Sequence, residues 1–337
     1  MRLSKEKREA MEQYTLEIID KGYENIAQHI VEVFSVDRST AFRCIGRLAE
    51  QEKIQKIRRG QYTLQQQRWD YVLERKKGDL DSDITVFVKY LEPHIKHLPD
   101  NVIHIWGYVF SEMINNVMDH SESETAFVSV RQDCLNTSVY IIDEGIGIFE
   151  KIKKHFGFST ADESIEELFK GKLTTDTENH SGEGIFFSSR LMDEFAIFSG
   201  GRMFTCNHYD DEQIAVFSKE MMLPGTCVFM KLSNNSAKQT KEIFDLYSDE
   251  EGNFIRTRIP LKNIFDRSPV SRSQAKRLTH RFGEFSEVIL DFEGIEWMGQ
   301  GFADQLFRVF RKEHPAINLL PVNMNPDVAK MFRHAAG

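Results

Sequence analysis

SEMINNVMDHSE, residues 111–122, places Glu112, Asn116 and His120 four residues apart inside an otherwise apolar stretch. A spacing of four puts the three polar side chains on one face of a helix, while Ile105, Trp106, Val109, Met113 and Val117 form an apolar side. A polar stripe on a helix that is otherwise buried must face something polar. Three further stretches follow it in order. VYIIDEGIGI, residues 139–148, is an apolar strand ending in Asp143-x-Gly145-x-Gly147; SGEGIFFSSRLMDEF, residues 181–195, is a glycine pair opening a helix; LPGTCVFMKL, residues 223–232, puts Gly225 and Thr226 at a strand start.

In this order and spacing the four elements, spread over about residues 84–232, resemble the GHKL ATPase superfamily. EMINNVMDH is similar to its N box, with an E-x3-N-x3-H pattern nearest the anti-sigma kinases; DEGIGI and SGEGIFF resemble the two glycine boxes, and Gly225-Thr226 the final threonine. The resemblance implies a Bergerat-fold α/β sandwich that binds ATP and Mg²⁺. Asp143 would accept from the adenine amino group, favouring ATP over GTP, since guanine presents a carbonyl there. Gly145 and Gly147 would allow positive φ and a close approach to the base, with Thr226 beside Asp143. Gly182 and Gly184 would offer helix N-terminal N–H groups to phosphate. Asn116 would give Mg²⁺ a neutral oxygen, and Glu112, the candidate catalytic residue, would orient or deprotonate a water. Lys172, Thr174 and Thr175 fall in the expected lid and are candidate phosphate contacts; His120, at a helix end, is left out of the catalytic set. A P-loop is excluded by pattern, since G-x4-G-K-[ST] does not occur.

Upstream, one helical pattern ends near Phe34 and a second begins after Asp37, a candidate N-cap. The second helix turns Ala41, Ile45 and Leu48 inward and Arg38, Ser39, Arg43 and Arg47 outward, and KIRRGQYTL reads as a basic hairpin turning at Gly60. The chain carries a net charge of −9, yet residues 38–59 hold seven Lys/Arg against two acids. This stretch resembles a winged helix-turn-helix, which implies double-stranded DNA as partner. Arg38, Ser39 and Arg43 would then face bases or backbone, and Arg58 and Arg59 phosphates.

Downstream, residues 286–335 alternate strand, helix, strand, helix, a small α/β unit. LDFEGIEWMGQGFADQLF resembles STAS-like domains, relatives of anti-anti-sigma factors. Where those factors carry a phosphorylatable serine this chain has Gly299, Gln300 and Gly301, leaving Ser268, Ser271 and Ser273 as neighbouring hydroxyls. An interaction or dimerisation role is favoured, and a protein partner or homodimer stays open.

The expected architecture is multidomain α+β: a winged helix over 1–75, a GHKL ATPase domain over 80–235 and a STAS-like domain over 253–337. No CxxC pair links the four cysteines, and no apolar run approaches the ~18 residues of a membrane span, so a cytoplasmic protein without membrane contact is expected. The leading function is a regulator, acting in transcription, that binds and slowly hydrolyses ATP and couples nucleotide state to DNA or partner binding. The alternative is a serine/threonine kinase of the anti-sigma type acting on another protein.

Overall fold

The computed structural model describes residues 4–175, 182–209, 211–217, 222–265 and 268–336. The chain divides into two compact units: residues 1–70 with 129–139 and 231–236, and the remainder.

The first unit is built on α1 (Lys5–Asp20), α2 (Ile26–Phe34) and α3 (Arg38–Glu50), followed by the antiparallel pair β1 (Ile54–Arg58) and β2 (Gln61–Leu64). Asp37 accepts from the Thr40 N–H at 2.8 Å and so caps α3, satisfying a donor that the first helical turn leaves unpaired. Ile26, Ile30, Ala41, Ile45 and Leu48 close one apolar cluster with Met11 and Ile19, and Leu135 from the 129–139 segment packs against it. Gly60 takes φ +78° at the turn between β1 and β2, a left-handed conformation that favours glycine.

After β3 (Gln67–Glu74) the chain continues through α4 (Asp83–Tyr90), α5 (Glu92–Ile95) and α6 (Asp100–His120), then β4 (Thr125–Gln132) and β5 (Asn136–Asp143). Next come α7 (Ile148–Phe156), α8 (Ala161–Lys170), α9 (Gly184–Leu191), β6 (Glu194–Ser199), β7 (Arg202–Thr205), α10 (Asp211–Val216) and β8 (Thr226–Ser233). The strands form a sheet in the order β3-β4-β5-β8-β6-β7. Helix α6 buries Ile105, Trp106, Val109, Phe110, Met113 and Val117, each worth about 1.5–3 kcal/mol on removal from water, and packs against α4 and α9. This burial fixes the rotation of α6, and with it the direction of the polar stripe.

The C-terminal stretch adds α11 (Thr240–Asp245), β9 (Arg256–Pro260), α12 (Leu261–Ile264), α13 (Arg272–Leu278) and β10 (Glu287–Asp291). A helix follows from α14 (Gln300–Ala303) through a π-wound turn (Asp304–Phe310) into α15 (Arg311–Glu313), then β11 (Asn318–Val322) and α16 (Pro326–Ala336). β10 lies between β9 and β11, parallel to both, with Val288 opposite Thr257 and Leu319. Parallel neighbours require crossovers, which α12–α13 and α14–α15 provide. The protein is thus α+β, with helices and several sheets. No helix among the described residues is long and apolar enough to cross a membrane.

Candidate functional site

A cleft opens between α6, the β5–α7 turn, the start of α9 and the first residues of β8. Its floor is apolar, with Ile141, Ile152, Ile197 and Val228, suited to the faces of a flat aromatic ring. Glu112, Asn116 and His120 all line it, so the buried packing of α6 turns the polar stripe inward.

Asp143 ends β5 at the base of the cleft, with 5% of its surface exposed. Burial pushes its carboxyl above the usual carboxylate range, opposed by hydrogen bonds from the Gly145 and Thr226 backbone N–H groups. The Gly145 bond is 2.9 Å. Thr226 lines the cleft, its hydroxyl accepting from the Ile148 N–H at 3.1 Å and its backbone N–H donating to Asp143. The two glycines of the turn serve different ends. Gly147 has φ +78°, whereas Gly145 is needed for space: a Cβ there would stand 1.9 Å from the Ser121 carbonyl oxygen, a backbone atom that cannot swing aside.

At the far end, Gly182 and Gly184 line the cleft with Thr174 and Thr175. A Cβ on Gly184 would lie 2.0 Å from Glu112 Oε2, so the bare Cα is what lets that carboxylate reach the first turn of α9. Burial first, then the charges of Glu112 and Glu183, push the Tyr108 phenol above its usual range, placing two carboxylates near this end. Asn116 donates weakly from Nδ2 to Met113 Sδ at 3.8 Å, leaving its carbonyl oxygen for a hard cation. Among the described residues no three His, Cys, Asp or Glu side chains converge as a metal cage. Were Mg²⁺ held in this cleft, Asn116 would supply it one neutral oxygen.

Lys172 is not brought into the cleft. Its ammonium donates to the Glu284 carbonyl at 2.8 Å and lies 5.5 and 5.0 Å from the Phe254 and Phe285 ring centres. The lysine that does line the cleft is Lys151, whose Nζ donates to the His120 carbonyl at 2.8 Å. Sequence reasoning missed it, although Ile148, Lys151 and Ile152 share one helical face and all three line the cleft. Ser181, first residue of the second glycine stretch, lies outside the described residues.

In the other unit, Arg38, Ser39 and Arg43 are exposed on α3, with Arg38 stacked 5.8 Å from the exposed Phe42 ring. Ser39 Oγ donates to Asp37 Oδ1 at 2.6 Å and Arg43 donates to Thr40 Oγ1 at 2.8 Å. Donors from Ser39 and Thr40 hold the Asp37 carboxyl far below the usual range. Arg47, read as outward from spacing, is instead half-buried in an ion pair with Glu12 at 2.9 Å. Arg59 is exposed, while Arg58 pairs with Glu24 at 2.8 Å.

In the C-terminal part, Ser271 caps α13 through a capping box and bonds Ser273, and Ser268 Oγ accepts from the Trp297 N–H at 3.2 Å. Residues 274–329 match the family model described as a STAS-like domain of unknown function (DUF4325). The C-terminal domain is STAS-like. No curated protein matches the chain.

Proposed function

We propose that the protein is a GHKL-type ATP-binding regulator, slowly hydrolysing ATP, in which nucleotide occupancy changes the binding of DNA through a winged helix or of a protein through the STAS-like domain. The observation that carries this reading is the single cleft lined by Glu112, Asn116, Asp143, Gly184 and Thr226, residues drawn from stretches more than a hundred positions apart. A buried carboxylate beside an apolar floor suits an amino-bearing purine, because an ionised Asp143 accepts where adenine donates and meets a carbonyl in guanine. The opening of α9 at Gly184 suits phosphate oxygens, since unpaired N–H groups and the helix dipole favour negative charge there.

Glu112 is the residue placed to orient or deprotonate a water at the terminal phosphate. When bound beside Asn116, Mg²⁺ supplies charge neutralisation to the phosphates. Phosphorylation of the chain's own α14 is disfavoured because that helix begins at Gly299, Gln300 and Gly301, with no hydroxyl to accept a phosphoryl group, so the kinase alternative requires a separate protein as substrate.

Nucleotide titration with phosphate release tests the reading. Wild-type protein should bind ATP over GTP, Asp143→Asn should bind it more weakly, and Glu112→Ala should bind normally without turnover. Absence of ATP binding by the wild type overturns it. Retention of double-stranded DNA compared with ATP, ADP and no nucleotide then tests the coupling, which needs different ATP affinities in the two arrangements.

A further inference from the structure

One segment ties the cleft to the STAS-like domain. At the end of α8, Lys170 is fully buried, with its ammonium 2.6 Å from Glu167 Oε1 and donating to the carbonyls of His280 at 2.8 Å and Arg277 at 3.4 Å. Arg277 Nε donates to Glu166 Oε2 at 2.7 Å, and Thr257 Oγ1 donates to the Lys170 carbonyl at 2.8 Å. One residue carries most of the geometry. Arg281 donates from Nη1 to Glu167 Oε2 at 3.2 Å and from Nη2 to the carbonyls of Gly171, at 3.4 Å, and Lys172, while its side chain is only 11% exposed.

The chain held in this way runs directly into the cleft. Leu173, Thr174 and Thr175 line it, and the Leu173 N–H donates to the Gly182 carbonyl at 3.1 Å. Gly182 packs so tightly on this stretch that a Cβ would stand 2.6 Å from Leu173 backbone atoms. Gly182 in turn leads into α9, whose Phe186 and Phe187 pack on Phe254, two residues before β9. Both sides of the cleft's glycine end therefore rest on the C-terminal part of the chain, and Lys172 is committed to the same support through the Glu284 carbonyl.

We infer that Arg281 of the STAS-like domain is a positioning residue for the nucleotide site: by holding the Gly171 and Lys172 carbonyls it sets the backbone of 173–175 and of Gly182 against the phosphates. The inference rests on the proposed ATP reading. The guanidinium serves Glu167, the two carbonyls and the Glu284 carboxylate, the last at 2.8 Å from Nε and 2.7 Å from Nη2, through its fixed fork of donors. Removing it frees the segment at the glycine end and leaves the Asp143 end, built on β5, the α6–β4 connection and β8, untouched.

Full-length wild type, Arg281→Ala and Arg281→Lys are titrated with ATP and, separately, with adenosine, which lacks phosphates. Arg281→Ala should bind ATP ~10-fold more weakly, a change of about 1.4 kcal/mol, with adenosine affinity within about twofold of wild type, and Arg281→Lys should recover part of the loss. Equal losses for ATP and adenosine, or no loss for ATP in Arg281→Ala while the wild type binds, overturn the inference alone. A wild type that binds neither ligand removes the proposed function together with it.

Discussion

Asp143 combines burial with two backbone donors, and the balance between them has a measurable sign. Its carboxyl is raised in the folded protein, so its contribution to folding favours the protonated form and is lost as pH rises through the folded value. Binding of an amino-bearing base favours the ionised form instead. Adenosine affinity should therefore fall on acidification, starting above the ~3.9 of a free aspartate, with Asp143→Asn flat over the same window. Calorimetry across pH reads this, and a wild-type profile as flat as the variant's would contradict the role. Of the residue-scale features, Gly145, Gly147 and Gly184 are visible in the sequence as glycines only. Whether φ or space demands each depends on what stands opposite, and for Gly184 that is Glu112.

At the scale of elements, the local signals were legible. Asp37 caps α3, α6 carries its stripe on one face, α9 opens at Gly184, and Thr226 begins β8. Each follows from periodicity or from the donors a helix end leaves unpaired. The buried ion cluster on α8 was not legible, because nothing near Glu166, Glu167 and Lys170 in the sequence signals that Arg277, His280 and Arg281 cover them. Glu167, 4% exposed at its side chain, faces Lys170, His280 and Arg281. Burial pushes the Lys170 ammonium below the usual lysine range, and the Glu167 charge opposes that shift. Glu167→Gln should destabilise this part of the protein by about 3–5 kcal/mol, the usual penalty for leaving a buried charge without its partner, seen as a lowered urea midpoint. A midpoint shift near zero would mean that water reaches the cluster.

At the scale of the molecule, a chain of net charge −9 places exposed cations close together in sequence: Arg38 and Arg43 on α3, then Lys56 and Arg59 in the β1–β2 hairpin. If these meet DNA phosphates, the plot of log affinity against log salt should lose about 0.9 in slope for each phosphate contact removed, so Arg59→Ala should flatten it by roughly that amount. Arg58, paired with Glu24, should contribute less until that pair opens. Filter retention over a salt series measures both, and the absence of any DNA binding at low salt would assign this surface to a protein partner.

The sequence by itself determined that α6 carries its polar stripe on one face and that the C-terminal part alternates strand and helix, because hydrophobic period and turn chemistry act over a few residues, and by resemblance it pointed to the STAS-like C-terminal domain. Tertiary structure alone decided that Lys151 faces the cleft, that Lys172 turns to Glu284 and that Arg281 holds the Lys172 carbonyl from 109 positions away. A long cation carries no directional signal in its own neighbourhood; where its charge goes is set by which distant carbonyls, rings and carboxylates the packed chain brings within reach.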